Sequence, residues 1–253
     1  MKVEILLVPA LSDNYIFVIR DHESEKTIVV DPAEAAPVLS LLQQKKWKLD
    51  YIINTHHHSD HIGGNLELKN KTQCKIICSI LDEKRILKAD QYVVSGQEIK
   101  LGHIHFKALE MIGHTLGHIA YYSSELGVLF SGDVLFGLGC GRVFEGTYEQ
   151  MKACMDLLHS LPPETRVYCS HEYTERNLAF ALSVDGENQI LLKRAHTIKE
   201  LRLQNISTVP LNLGEEFKTN PFLRIYNSDF LRRNNYKDAL SAFTDLRQKR
   251  NNF

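Results

Sequence analysis

The sequence predicts an α/β protein that ends in a smaller helical domain, and three observations carry that prediction. Strand-like and helix-like runs alternate over roughly the first 170 residues, the pattern of sheet and helix layers packed on one another. From about Thr174 onward helical periodicity takes over. Histidines and aspartates recur where β-rich runs end, so functional loops are expected at those strand ends. The division is placed at residue 172, giving domains 1–172 and 173–253.

In chain order, Val3–Pro9 and Tyr15–Arg20 flank the turn-rich Leu11-Ser-Asp-Asn14 and predict a hairpin. Thr27–Val30 predicts a strand that stops at Asp31-Pro32, where proline is expected to open a helix over Ala33–Lys45 at its first turn. Leu49–Asn54, Cys74–Ser79, His105–Ile112, Gly127–Phe130 and Arg166–Ser170 are further β-rich segments, most of them short and apolar enough to be buried. Helices are expected over Glu175–Ser183, Glu187–Asn205 and Lys237–Lys249. There is no repeat and no low-complexity segment.

Composition narrows the class. With 253 residues, 43% hydrophobic and 24% charged, the chain is long enough to bury a large core and has the make-up of an ordinary globular protein. No stretch approaches the ~18 consecutive apolar residues of a membrane span. The opening Met-Lys-Val-Glu-Ile-Leu-Leu lacks the layout of a signal peptide, so a cytoplasmic monomer without a membrane partner is expected. Cys74, Cys78, Cys140, Cys154 and Cys169 are odd in number and form no Cys-x-x-Cys pair. Neither a disulfide framework nor a thiolate zinc site is indicated, and most of these thiols should be reduced and buried.

Charge is uneven. Residues 193–253 hold twelve Lys/Arg against six Asp/Glu, a local +6 that leaves about −7 for residues 1–192 within a net charge of −1. A solvated helical surface accounts for such a bias by itself; a partner carrying negative charge is the sharper account.

The decisive segment is Asn54-Thr-His-His-His-Ser-Asp-His-Ile-Gly-Gly64, directly after the apolar Tyr51-Ile-Ile53. It places His56, His58, Asp60 and His61 within six residues. Imidazole and carboxylate together suit zinc, iron or manganese, and a loop leaving a strand can aim alternate side chains at one point. Gly63-Gly64 lets backbone approach closely and a helix begin. Two histidines so spaced are commonplace on surfaces; four potential ligands after a buried strand are not. His114, Asp133 and His171 each follow another β-rich run. A lone strand-end histidine is more often structural than ligating, so it is the repetition that makes these candidates. His57 should point away from its neighbours, and His118 should support the site without ligating. His22, His103, His105, His159 and His196 have no signal beyond ordinary surface or structural roles.

These residues resemble the metallo-β-lactamase fold, whose pattern is Thr-His-x-His-x-Asp-His followed by a His, a bridging Asp and a final His. The resemblance implies an αββα sandwich over the first domain and two divalent metal ions, zinc foremost, with iron or manganese also suited. His56, His58 and His114 would hold one ion, Asp60, His61 and His171 the other, and Asp133 would bridge them. Two ions so placed acidify water near neutral pH, which removes the need for a Ser or Cys nucleophile. The sequence has no Gly-x-Ser-x-Gly elbow, no P-loop and no dinucleotide glycine fingerprint, so hydrolysis leads, with Asp60 and Asp133 as the catalytic pair that orients the water.

A second set of motifs is more discriminating. Gly139-Cys-Gly-Arg-Val-Phe-Glu-Gly-Thr147, His171-Glu-Tyr-Thr174, Asn220-Pro-Phe-Leu-Arg224 and the terminal Leu246-Arg-Gln-Lys-Arg-Asn-Asn-Phe253 are similar to those of the glyoxalase II (hydroxyacylglutathione hydrolase) family along nearly the whole chain. That resemblance implies hydrolysis of S-D-lactoylglutathione and related 2-hydroxyacyl-glutathiones to glutathione and D-lactate, the second step of methylglyoxal detoxification. Its glutathione contacts map onto Arg142, position 144, Tyr173, Arg247 and Arg250, with Asn177 a weaker candidate. Position 144 departs from the family, where a tyrosine is common: Phe144 cannot donate a hydrogen bond. Arg142 and Arg250 stand where lysine is frequent, and the two cations are not interchangeable.

Two alternatives are open, another protein of the same fold with different chemistry or a non-catalytic one. Another hydrolase of the same fold, a lactonase or a phosphodiesterase, would share the ligands, but nucleic acid calls for a broad basic surface and the metal-bearing part is net acidic. A related persulfide dioxygenase would use one iron and lack the helical glutathione-binding tail, and a flavodiiron-type protein would have Glu in place of His58. A non-catalytic metal-binding protein would be expected to have lost at least one of the seven ligands.

Overall fold

In the computed structural model, which describes residues 2–253, the chain folds as two compact units, Met1–Glu110 with Leu116–Gly132, and Met111–Thr115 with Asp133–Phe253. Met1 of the opening segment lies outside the described residues.

The first unit runs through β1 (Val3–Ala10), β2 (Asn14–Asp21), β3 (Lys26–Val30), α1 (Ala35–Lys45), β4 (Tyr51–Ile53), α2 (Ser59–Ile62), α3 (Asn65–Thr72), β5 (Lys75–Ser79) and β6 (Gln91–Val93). These strands form a six-stranded sheet in the order β1-β2-β3-β4-β5-β6. The first three pair antiparallel and β3 through β6 run parallel. An antiparallel ladder follows, β7 (Glu98–Leu101), β8 (Ile104–Glu110), β9 (Ile119–Ser123) and β10 (Val128–Gly132).

Strand alternation gives the first sheet two apolar faces. Ile16, Val18, Val29, Ile52 and Ile76 pack with Val38 and Leu42 of α1 and Leu68 of α3. Phe17 points the other way, its ring 5.6 Å from Phe130 of β10, and Phe106 of β8 lies 6.1 Å from Phe130. Each fully buried side chain of this size contributes on the order of 1.5–3 kcal/mol. Because β3 and β4 are parallel and in register from Ile28↔Tyr51 to Val30↔Ile53, Asp31 and Asn54 leave the sheet along the same edge.

Helix α1 starts two residues later than Ala33, and Pro32 does not open it: Glu34, with φ −140, is its N-terminal cap. The physical reason lies one step upstream. Asp31 adopts φ 48, and its carboxylate accepts from Thr55 N at 2.8 Å and Thr55 Oγ1 at 2.6 Å. This segment is held by Thr55 and is not released to begin a helix. Likewise β8 ends at Glu110, short of the expected Ile112, because Met111–Thr115 belongs to the second unit.

Asp21 closes β2 fully buried. Burial raises its pKa, but the Ser24 hydroxyl and the backbone N–H groups of His103, Ser24 and Glu23 outweigh that and hold it well below the usual carboxylate range. A depressed folded-state pKa gives stability that is present above the unfolded value, ~3.9, and is lost as pH falls below it. Asp21→Asn is therefore expected to be less stable at neutral pH yet to lose stability less steeply below about pH 4. Urea titrations across that range measure it, and parallel slopes for the two proteins would refute it.

The second unit comprises β11 (Leu135–Phe136), β12 (Gly139–Cys140), α4 (Tyr148–His159), β13 (Arg166–Cys169), α5 (Thr174–Asp185), α6 (Gln189–Leu203), β14 (Leu211–Asn212), α7 (Leu213–Thr219), α8 (Pro221–Arg224), α9 (Ser228–Arg233) and α10 (Ala239–Asn251). Strands β11 and β12 form a tight hairpin, and β13 pairs antiparallel with β14. The helices expected from periodicity appear as α5, α6 and α10. Helix α4 was not anticipated, although Thr147 and Gln150 supply a complete capping box before it.

The Asn220-Pro-Phe motif has a structural meaning. Asn220 caps Phe222 N at 3.0 Å with Pro221 in the first helical turn. Its amide also donates to Phe136 O at 3.1 Å and Gly139 O at 3.0 Å, pinning the β11–β12 hairpin. Glu216, fully buried, accepts from Leu138 N and Asn220 Nδ2, both at 3.0 Å, and pairs with Arg194.

Candidate metal centre

The first unit presents His56, His58, Asp60 and His61 on the loop and short helix that leave β4. Asn54 organises the turn: its amide donates to His61 O at 3.1 Å, its side-chain oxygen accepts from Asn65 Nδ2 at 2.8 Å, and its carbonyl accepts from Tyr121 OH at 3.0 Å. A Cβ added at Gly63 would lie 2.4 Å from Ala33 O, so only glycine admits this backbone approach.

Each imidazole is oriented from behind. Thr55 Oγ1 lies 3.1 Å from His56 Nδ1, and Asp31 Oδ2 lies 3.1 Å from His61 Nδ1. That arrangement directs Nε2 of both rings forward, as in metal sites whose ligands are steadied by a hydrogen bond at the other ring nitrogen. His56 Nε2 is 3.0 Å from His58 Nδ1, and His61 Nε2 is 3.5 Å from Asp60 Oδ2. Two ligands ~2.0–2.1 Å from one tetrahedral ion sit about 3.3 Å apart, so these spacings fit shared coordination. Asp31, His56 and His61, all buried, also bring one ligand-type atom each within 4.8 Å of one another. Asn14 Nδ2 steadies Asp60 Oδ2 at 3.0 Å.

His57 turns away as expected, its Nδ1 3.3 Å from Asp82 Oδ1 and 3.2 Å from an Arg85 nitrogen. His118 stacks on His56 with ring centroids 4.9 Å apart, a supporting contact. The remaining histidines pair with acids, as His22 does with Glu4 and His103 with buried Asp21, or pack on aromatic rings, as His159 does on Tyr226.

The second unit presents His114, Asp133 and His171. Asp133 Oδ2 is 3.4 Å from His114 Nε2, and its other oxygen is 3.5 Å from His171 Nε2. Each carboxylate oxygen thus faces a different imidazole. His114 Nδ1 donates to Arg142 O at 2.9 Å, again leaving Nε2 forward. Gly113 has φ 153, and a Cβ there would lie 2.6 Å from Met151 Sδ, so glycine sets the approach of His114.

Around these ligands the second unit gathers aromatic and cationic side chains. Tyr173 stacks on His171 at 4.7 Å with a 7° interplanar angle, and exposed Phe144 lies 5.1 Å from His114. Arg250 contacts Asn177 Oδ1 through two nitrogens at 3.4 and 3.3 Å, while Asn177 Nδ2 holds Gly137 O at 3.0 Å. Arg247 is 3% exposed, donates to Cys140 O at 2.7 Å and lies over the Phe222 ring at 5.2 Å. Arg142 is exposed. The pKa of Arg250 is lowered by burial and then by the charges of Arg247, Arg142 and Arg176. Cys140, buried within this group, has its thiol pushed up to about 11 by burial despite Arg247 beside it.

Three contributors lie outside the sequence-predicted set. Asp31 and Asp82 orient His61 and His57 across long sequence separations, and Arg176 joins the cationic group. The Asp31-Pro32 pair at a strand end was the available signal for the first. None existed for the others.

Comparison with known proteins places this geometry. Residues 11–171 match the family model described as metallo-beta-lactamase superfamily, and residues 172–253 match that described as hydroxyacylglutathione hydrolase C-terminus. A hydroxyacylglutathione hydrolase of Rhodospirillum rubrum is 42% identical over 253 residues, covering 99% of both chains. One from Methylococcus capsulatus is 45% identical over 222 residues, 88% of this chain and 87% of the relative. Among solved structures, ETHE1 from Myxococcus xanthus superposes with a TM-score of 0.71 at 23% identity over 99% of this chain and 92% of that one. TTHA1623 in a di-iron-bound form gives 0.63 at 24% identity over 87% and 100%. Both likenesses are of fold.

Proposed function

Since the chain belongs to the hydroxyacylglutathione hydrolase family of the metallo-beta-lactamase superfamily, we propose that it hydrolyses S-D-lactoylglutathione and related 2-hydroxyacyl-glutathiones to glutathione and the free acid, the second step of methylglyoxal detoxification in the cytoplasm. The observation that supports this most is the continuity of the match: a chain carrying a His/Asp ligand loop also carries the whole hydroxyacylglutathione hydrolase C-terminus, residues 172–253. Catalytic residues 1–172 and substrate-binding residues 173–253 are the functional division in this reading.

Divalent metal binding fits the donors. In the fuller assignment His56, His58 and His114 would hold one ion, Asp60, His61 and His171 would hold a second, most simply zinc, and Asp133 would serve both. Bound there, two such ions supply an acidified water near neutral pH and a Lewis acid for the thioester carbonyl. Asp60 and Asp133 would orient that water by accepting its hydrogen bonds. Asp31 and Thr55 keep the imidazoles in the orientation that ligation needs. A thiol leaving group with a pKa near ~8.5 departs as thiolate, so no protonated carboxyl is required.

Arg142, Arg247 and Arg250 meet the carboxylates of glutathione by charge-assisted hydrogen bonds, and Tyr173 and Phe144 flank the cysteinyl thioester. The test is release of free thiol from S-D-lactoylglutathione by the metal-loaded protein; absence of release under any divalent metal would refute the reading. Arg250→Ala and Arg247→Ala are expected to raise KM more than they lower kcat, because they serve the unreacting end of the substrate. Steady-state kinetics checks this, and a fall in kcat at constant KM would exclude the assignment.

A further inference from the structure

Of the four residues in His171-Glu-Tyr-Thr174, the first and third stack ring on ring at 4.7 Å, and the second and fourth converge on one distant threonine. The Glu172 side chain, 8% exposed, accepts from Thr208 N at 2.8 Å through one oxygen and from Thr208 Oγ1 at 2.7 Å through the other. Thr174 Oγ1 lies 2.6 Å from the same Thr208 hydroxyl. Thr208 sits between α6 and β14, 36 residues beyond Glu172. Nearby, Arg202 Nη1 donates to Ile206 O at 2.7 Å and lies 3.7 Å from Glu172. A carboxylate with both oxygens bonded to one residue has its direction fixed, and its charge strengthens each bond. Without those bonds its burial would be costly.

The His171 imidazole has Tyr173 on one face and Phe136 set edge-on 5.7 Å away, and Phe136 is also 5.1 Å from Tyr173. Ring packing of that kind limits tilt. Where the ring stands, and so where Nε2 falls at 3.5 Å from Asp133 Oδ1, depends on the main chain of residues 171–174. Thr208 anchors that main chain on both sides of Tyr173, through Glu172 and through Thr174. We propose that Glu172 is a positioning residue, which with Thr208 forms a clamp that sets the His171 imidazole for metal binding. The proposal rests on the functional reading of the chain, in which His171 is a metal ligand. Glu172 itself touches neither ion nor substrate; it acts through the main chain of its neighbour.

Withdrawal of zinc from the loaded full-length protein by a chromophoric chelator tests this without turnover. Glu172→Ala is expected to weaken zinc binding about 10-fold, and Thr208→Val, which keeps the backbone donor but loses the hydroxyl, to weaken it by a smaller factor. Thr208→Ser, which keeps the hydroxyl, should hold zinc as wild type does. The double variant Glu172→Ala with Thr208→Val should lose little more than Glu172→Ala alone, because both changes cut one contact. Thiol release from S-D-lactoylglutathione should fall at limiting zinc and recover as zinc saturates. Unchanged zinc affinity in folded Glu172→Ala and Thr208→Val, whatever their urea midpoints, would overturn the proposal, since a mere strut lowers stability alone. Additive losses in the double variant would overturn it too. Should Glu172→Ala fail to fold, the comparison of Thr208→Val with Thr208→Ser decides. If zinc affinities follow the expected pattern but wild-type protein releases no thiol, the substrate reading fails while the clamp on His171 stands.

Discussion

Asp133→Ala is expected to lower kcat/KM for S-D-lactoylglutathione by about 10³-fold or more while leaving the fold intact. The carboxylate touches two candidate ligands in the second unit, 3.4 Å from His114 Nε2 and 3.5 Å from His171 Nε2 through different oxygens. An alanine removes both contacts at once, so metal stoichiometry should fall together with activity. Atomic emission and thiol release measured on the same preparation check this. Asp133→Asn separates the parts: it keeps shape and one acceptor oxygen but not the second anionic oxygen, so it should bind less metal than wild type and remain severely impaired. A fully active Asp133→Ala protein would remove the bridging role. Asp60→Ala should be impaired to a similar order.

Glu216→Leu is expected to destabilise the protein by about 3–5 kcal/mol, because it leaves the buried Arg194 guanidinium without its principal partner. Arg194 is only 6% exposed, and its remaining ion pair, to Glu215 at 3.1 Å, reaches a side chain that is 47% exposed. The same substitution orphans Leu138 N and releases one contact of Asn220. Urea unfolding measures the loss. The double change Arg194→Met with Glu216→Leu should recover much of it, since the cost comes from the uncompensated charge. An unchanged midpoint in the single variant would show that the pair contributes nothing net. Function should suffer as well, because these bonds hold the hairpin that carries Cys140 into contact with Arg247.

What the sequence made legible was local. The loop from Asn54 to Gly64 stands out because strand, ligands and glycines are contiguous, and the hairpin of β1 and β2 because its turn residues sit between two apolar runs. What it concealed was made by distant partners. Asp31 looks like a strand terminator; its contacts with Thr55, 24 residues on, and with His61 give it a role, and those with Thr55 delay α1. Strands β11, β12 and β14 have two residues each and carry no periodicity to detect. Helix α4 has its own signal in Thr147 and Gln150, the capping box that opens it. Arg247 looks solvated in a basic terminal helix, yet it is buried because Cys140 O and the Phe222 ring receive it. Charge patterning gives the sign of a segment, not which of its residues turn inward.

The position of Cys140 bears on how such a protein tolerates its own product. Glutathione would be the thiol released in the proposed reaction, and its disulfide exchanges with a protein cysteine only when that cysteine's thiolate attacks it and the second glutathione leaves as thiolate. Cys140 lies beside Arg247, but buried and with its pKa pushed up to about 11 it stays a thiol. A cation-rich pocket would ordinarily turn a neighbouring cysteine into a redox switch. Here enclosure keeps it inert, so turnover should be indifferent to the ratio of reduced to oxidised glutathione.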